Sequence, residues 1–236
     1  DEIPKILSME FGRRSGVYYA ILEAVANGAT SISEIASYLN MKETSLTRHI
    51  KELTDYFKIL SYDHAVLGKK RIMYIKHPLI NFWFRFIYPR LSEYEAMREE
   101  LAKEVLAMLP DYVGRRFDFI CREILWILNN KGKLPFKFTQ IGRHWGYCRE
   151  GGIRKVYEID IVAISKDRSK ALFGECKWKR KPIDGKRIFE ELKRKSELTR
   201  WKGEKHYIII AKNVKNPPEE AIVLDEKAIL DTLNSD

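Results

Sequence analysis

The sequence predicts an α/β protein in two parts, a small helical module ending in a basic hairpin and a larger domain on a mixed sheet. Three observations carry that reading. Apolar residues recur at helical spacing in three short runs between residues 15 and 57. Strand-like stretches follow one another near 135–147, 156–164 and 170–178, after a helical run at 111–130. Then come a charged helix at about 184–200, a strand "HYIIIAK" at 206–212 and a last helix near 225–234.

In the first part, "SGVYYAILEAVAN" (15–27) has helical apolar spacing and stops at Gly28. "TSISEIASYLN" follows with Ser31 and Glu34 at capping-box spacing, and Ile32, Ile35, Ala36 and Leu39 form its inner face. In "KETSLTRHIKELTDYF", Leu46, Ile50, Leu53 and Phe57 repeat at steps of three and four. "KILSYDHAVLGKKRIMYIKHP" alternates like two strands around Gly68-Lys69-Lys70. Three short helices and a basic hairpin make an N-terminal winged helix-turn-helix, placed at residues 1–77. Its third helix would offer Thr44, Ser45, Thr47, Arg48 and Lys51 to a DNA backbone, and its wing Lys69, Lys70 and Arg71. The competing reading is a module that packs only against protein.

Residues 78–110 read as a helical linker: the aromatic-dense "PLINFWFRFIYPR", expected to be buried, then an amphipathic helix ending at Pro110. Residues 111–236 form the second domain, whose first helix would bury Val113, Phe117, Ile120, Cys121, Ile124 and Leu128.

Composition narrows the function classes. With 236 residues, 45% hydrophobic and 32% charged, the chain is an ordinary folded protein. No apolar run approaches the roughly 20 residues that cross a bilayer, and no membrane partner is expected. The start has no signal-peptide layout and no initiator Met, so a fragment of a longer chain is expected. Cys121, Cys148 and Cys176 form no CxxC pair; they suit a reducing cytoplasm and give no zinc site. Residues 1–110 carry 15 Lys/Arg against 14 Asp/Glu, whereas 111–236 carry 28 against 19. A basic excess confined to one half suggests a polyanion, most simply nucleic acid; a Lys-rich solvated surface is the alternative.

The chemistry concentrates in "EIDIVAISKDRSKALFGECKWKR" (158–180). If its strands pair symmetrically about Asp167-Arg168, Asp160 faces Glu175, Glu158 faces Lys177 and Val162 faces Phe173. Residues 158, 160, 175 and 177 then share one face, and Ile159, Ile161, Leu172, Cys176 and Trp178 the other. Opposed carboxylates destabilise a strand pair unless something offsets them, and a hard divalent cation, Mg²⁺ or Mn²⁺, would. Lys177 could then orient water and stabilise developing phosphorane charge. A surface hairpin with a Glu158–Lys177 ion pair is the plainer alternative.

"EIDIVA" followed by "GECKW" resembles the signature of the PD-(D/E)xK nuclease-like superfamily, with Asp160, Glu175 and Lys177 at its positions. The resemblance implies a restriction-endonuclease-like αβββαβ domain. It also implies a helix acid at Asp118, an assisting Glu158 and the Cys176 carbonyl as a further metal ligand. Glu123 is a second candidate for the helix acid: motif position favours Asp118, side-chain length favours Glu123. Together with "AILEAVANGATSISEIASYLN", "YIKHPLINFWFRFIYP" and "VGRRFDFICREIL", nearly the whole chain is similar to the C-terminal half of archaeal P-loop ATPases. No GxxxxGK[ST] occurs, so no ATP site is expected here, and an ATPase domain or subunit is an implied partner.

Lys179, Arg180, Lys181, Lys186 and Arg187 would border the active face on a DNA backbone, or else form a solvated helix start. Trp145 and Trp178 read as core, His144 as structural rather than phosphate-binding, and "KRKSELTRWKGEK" as exposed helix surface. The expected function is a metal-dependent DNA endonuclease. A non-cleaving DNA-binding or regulatory module of an ATPase is the alternative, and a protein-interaction module a third; self-association is left open.

Overall fold

The computed structural model describes residues 2–12 and 15–234. The chain divides into two compact units. The first takes residues up to Asp63 and Arg71–Leu106, the second His64–Lys70 and everything from Ala107 on.

The first unit contains α1 (Glu2–Phe11), α2 (Ser15–Ala26), α3 (Ile32–Leu39) and α4 (Glu43–Lys51), the last running on into a π-helical turn at Glu52–Tyr56. The hairpin β1 (Leu60–His64) and β2 (Arg71–Ile75) follows, then α5 (Pro78–Phe82) and α6 (Leu91–Ala96). Helix α3 starts where its sequence dictates. The Glu34 N–H donates to Ser31 Oγ (3.3 Å) and the Ser31 N–H to Glu34 Oε2 (3.1 Å), closing the capping box. Asn40, left-handed at φ 50°, ends the helix. Ile21, Leu22, Ile35, Leu46, Leu53 and Ile75 form the core, and Trp83 and Phe84 of the aromatic stretch join it.

Helix α7 (Arg98–Asn130) runs unbroken through Pro110, where the sequence reading ended one helix and began another. Proline removes one N–H and crowds the preceding turn, which weakens a helix without always ending it. Ile120, expected on the buried face, is half exposed, whereas Leu125 is fully buried.

The second unit continues with β3 (Phe138–Glu150), β4 (Ile153–Ser165), β5 (Lys170–Lys177), the short β6 (Ile183–Asp184) and α8 (Gly185–Leu198). It ends with β7 (Glu204–Ala211), β8 (Val214–Lys215), β9 (Ile222–Leu224) and α9 (Glu226–Asn234). The main sheet is mixed, in the order β3-β4-β5-β7-β9. Its first three strands are antiparallel and β5, β7 and β9 are parallel. Gly151 (φ 58°) and Gly152 (φ 82°) close the β3–β4 hairpin; positive φ at both positions is what a type I′ turn needs. Gly174 has no room for a side chain, because a Cβ would lie 2.8 Å from Ile208 and 2.9 Å from Ile161.

Each face of the sheet has its own core. On one, Phe117, Cys121, Ile124 and Leu128 of α7 and Ile229 of α9 meet Ile161, Leu172, Cys176, Ile208 and Ile210. On the other, α8 sends Leu192 against Val162, Ile164 and Phe173, and Ile188 and Phe189 against Ile209. Fully burying such side chains contributes roughly 1.5–3 kcal/mol each. Among the described residues no helix is long and apolar enough to cross a membrane.

Candidate active site

The register of β4 on β5 is the one the turn dictates: Val162 pairs with Phe173 and Ile161 with Gly174. Asp167 fixes the turn, accepting from Ser165 Oγ (2.6 Å), Ser169 Oγ (2.7 Å) and the Ser169 N–H (3.1 Å). Those bonds hold its carboxyl down at about 2.

Past Ile161 and Gly174 the pairing of the two strands ends, and β4 continues on β3 alone while β5 continues on β7. Asp160 sits at this fork. Its Oδ2 accepts the Cys176 N–H (2.9 Å), standing in for a lost ladder bond. Beside it, β4 carries a β-bulge. The pairs with β3 step from Gly142–Val162 to His144–Ile159, so β4 spends three residues where β3 spends two.

The bulge corrects the expected sharing of faces. Ile159 packs with Val162 and Phe173, whereas Ile161, Leu172 and Cys176 pack on the opposite side. Glu158 accordingly does not face Lys177; it opposes Trp145 on β3, and its carboxylate lies 3.5 Å from Arg143 Nη1.

Lys177 gathers the two remaining acids. Its Nζ lies 2.6 Å from Glu175 Oε1 and 3.4 Å from Asp160 Oδ2. Lys195 of α8 adds a second cation, 3.2 Å from Glu175 Oε2 and 3.2 Å from Glu191 Oε1. Glu175 is 6% exposed. Burial first, and then the charge of Asp160, push its pKa above the usual carboxylate range despite both lysines. Burial pulls the Lys177 ammonium down, but Asp160 and Glu175 together outweigh it and hold the proton on more firmly than usual.

Asp118, 4% exposed on α7, anchors a second cluster. Arg143 of β3 grips it with two bonds, Nε to Oδ2 (2.8 Å) and Nη2 to Oδ1 (2.7 Å), and Arg122 Nη2 adds a third to Oδ2 (2.6 Å). Burial opposes the charge on Arg143, and Asp118, Glu158 and Asp160 together reverse that effect and raise its pKa. Arg143 therefore lies within the field of both clusters. Glu123, the other candidate helix acid, is exposed.

Sequence reading missed Arg143, Arg122 and Lys195. The last lay in the stretch expected to be plain helix surface, yet its side chain is 13% exposed. The available signal was its place one turn from Glu191 and beside Leu192 and Ser196, both fully buried. His144 is buried, with Nε2 3.4 Å from the Tyr157 hydroxyl, and Trp145 is half-buried rather than core.

The remaining expected contacts are exposed. Lys179, Arg180 and Lys181 follow β5, and Lys186 and Arg187 occupy the first turn of α8, capped by Asp184 through the Arg187 N–H (3.1 Å). In the first unit Thr44, Ser45, Thr47, Arg48 and Lys51 line the outer side of α4, with Arg48 Nε 3.0 Å from Glu52 Oε1. Thr47, Lys51 and Arg71 border one cavity of about 450 Å³. Lys69 is exposed, and Lys70 stacks its ammonium on the Tyr147 ring, 3.5 Å from the centroid.

Asp160 and Glu175 meet at Lys177, and their oxygens are the groups that could hold a hard divalent cation. Among the described residues no three His, Cys, Asp or Glu side chains converge on one point.

Residues 83–196 match the DUF234 family model, described as archaeal and bacterial proteins of unknown function. That stretch contains every member of both clusters. An uncharacterized protein of Methanocaldococcus jannaschii is 36% identical over 220 residues, which is 91% of this chain and 48% of that protein. The chain thus spans about half the length of the relative it matches. A crystal structure of a Vibrio cholerae protein aligns over 95% of this chain and 50% of its own, with 14% identity and a TM-score of 0.31.

Proposed function

We propose that the second unit is a PD-(D/E)xK nuclease-like domain that hydrolyses DNA phosphodiesters with a divalent metal, and that the first unit is a winged helix that brings it to DNA. The observation that carries this reading is the convergence of Asp160 and Glu175 on Lys177 at the fork of β4 and β5. Asp160, Glu175 and the Cys176 carbonyl would hold the metal, which supplies a Lewis acid for the phosphoryl oxygens and a more acidic bound water. Lys177 orients the attacking water and neutralises charge developing on phosphorus. Asp118 acts through Arg143, a positioning contact that ties α7 to β3 beside Glu158 and Asp160. Lys179, Arg180, Lys181, Lys186 and Arg187 give the strand a basic border. The length of the relative agrees with a further domain, which the resemblance makes an ATPase.

A second reading has its own observation. Lys177 and Lys195 already meet the charge of Glu175, as they would in a site that no longer takes a metal. Cleavage of labelled duplex, branched and single-stranded DNA with Mg²⁺ or Mn²⁺ separates the two. The nuclease reading expects cleavage by the wild type, its loss in Glu175→Ala and Lys177→Ala, and retained DNA binding. DNA that binds but is never cut with either metal would leave a non-cleaving binding module.

A further inference from the structure

The hairpin of β3 and β4 brings like charges together at its far end. Arg149 pairs directly with Arg154 across the strands, next to the Gly151–Gly152 turn. Directly opposed like charges destabilise a strand pair unless a counter-charge lies between them. Among the described residues, neither arginine has a carboxylate within ion-pairing distance. A third, Arg200, comes from the turn after α8 and holds left-handed backbone at φ 58°, uncommon outside Gly, Asn and Asp. All three line one cavity of about 620 Å³, together with Tyr147, Cys148, Glu197 and Leu198. Glu197, the acid among those lining residues, is drawn off to Lys205 at 2.7 Å. Arg154 is not loose, since its guanidinium stacks 3.6 Å from the centroid of the half-exposed Tyr147 ring.

We propose that Arg149, Arg154 and Arg200 form an anchor for a DNA backbone phosphate, separate from the acid pair at Asp160 and Glu175. The guanidinium forks match a phosphate's planar pairs of oxygens, and three of them on one cavity exceed what any acid there balances. The chemistry recognised is a phosphate anion; its source is a phosphodiester of the polymer. The anchor rests on the reading that DNA is the partner, and not on cleavage at Glu175. It sits at the end of the helix that supplies Lys195 to Glu175.

The test is fluorescence anisotropy of a labelled duplex with the whole chain in EDTA, at several salt concentrations. Arg149→Ala/Arg154→Ala should bind about tenfold more weakly at 0.1 M salt and lower the slope of log K against log salt by about 2. Arg149→Lys/Arg154→Lys should recover most of the affinity. The double alanine variant should melt no lower than wild type, since it relieves an opposed pair. Should it melt early, Arg200→Ala, on another element, decides by its own affinity. Wild-type affinity and salt slope in the alanine variants would overturn the anchor. Competition identifies the source: unlabelled duplex should displace the probe far below the concentration at which inorganic phosphate or a mononucleotide does. Displacement by a mononucleotide as readily as by duplex would make the cavity a nucleotide pocket and overturn the proposal. Weakened binding here with no cleavage by any form leaves the anchor standing and removes the nuclease; cleavage with unaltered binding does the reverse.

Discussion

Asp118 and Glu175 are buried almost equally, 4% and 6% exposed, and each meets two cations, yet the two carboxylates are built for different ends. Asp118 is held by guanidinium groups, one of them through two bonds, and a guanidinium keeps its charge at every accessible pH. Glu175 is held by two ammonium groups, each a point charge on a flexible stem, and each is shared with a second acid. Its pKa stays raised because burial and Asp160 together outweigh the lysines. The comparison teaches that burial and partner count do not define a site. Asp118 is closed by its partners, whereas Glu175 would still gain from more positive charge.

The sharpest way to break the comparison is Arg143→Ala. It leaves Asp118 buried with Arg122 alone, and removing one partner from such a pair costs about 3 kcal/mol. For a domain of this size the melting temperature should fall by roughly 10 °C. Arg143→Lys should restore only part of the loss, because an ammonium cannot reproduce the two-bond grip. Denaturant unfolding at constant m-value checks both. A loss below 1 kcal/mol would mean that Asp118 is not locked as the geometry implies.

What the sequence allowed one to foresee follows from how local each feature is. The β4–β5 register was legible because Asp167 and its two serines fix the turn, and the hairpin counts outward from it. The capping box of α3 was legible because Ser31 and Glu34 stand three residues apart. The bulge at Asp160 was not, since it exists only against β3, and no alternation within β4 announces it. Arg143 was passed over because an arginine in a strand reads as solvent-facing until Asp118, 25 residues away, is brought to it. Lys195 needed Ser196 to be known as buried, which its residue type does not suggest.

The next largest effect should come from Lys195→Met, which removes one of the two cations on Glu175. Losing a hydrogen bond to a charged group costs about 2 kcal/mol in metal-free protein. The same change should make the site more receptive to a divalent ion. Added Mn²⁺ should then raise the melting temperature more in Lys195→Met than in the wild type, with half-saturation at lower metal concentration, since an ion that binds only the folded state stabilises by mass action. If Mn²⁺ raises both proteins equally, Lys195 does not compete with the metal and the under-compensation of Glu175 has another origin.

The smallest effect is a matter of sign. A carboxyl whose folded pKa lies above its usual 4.5 binds its proton more tightly in the folded state than in the unfolded one. Between those two values the folded protein holds more protons, so the contribution of Glu175 to stability falls as pH rises. Lys177 does not reverse this, because its ordinary value in the unfolded state and its raised one in the folded state both keep it charged through that window. Glu175→Gln removes the titration, and the melting temperature of the variant relative to wild type should rise by ~2 °C from pH 4 to pH 8. Asp118→Asn serves as the contrast. Its two arginines lose a charged partner, so Asp118→Asn should melt below the wild type. An Asp118→Asn variant as stable as the wild type would show that the guanidinium partners do not lock this carboxylate as the geometry implies.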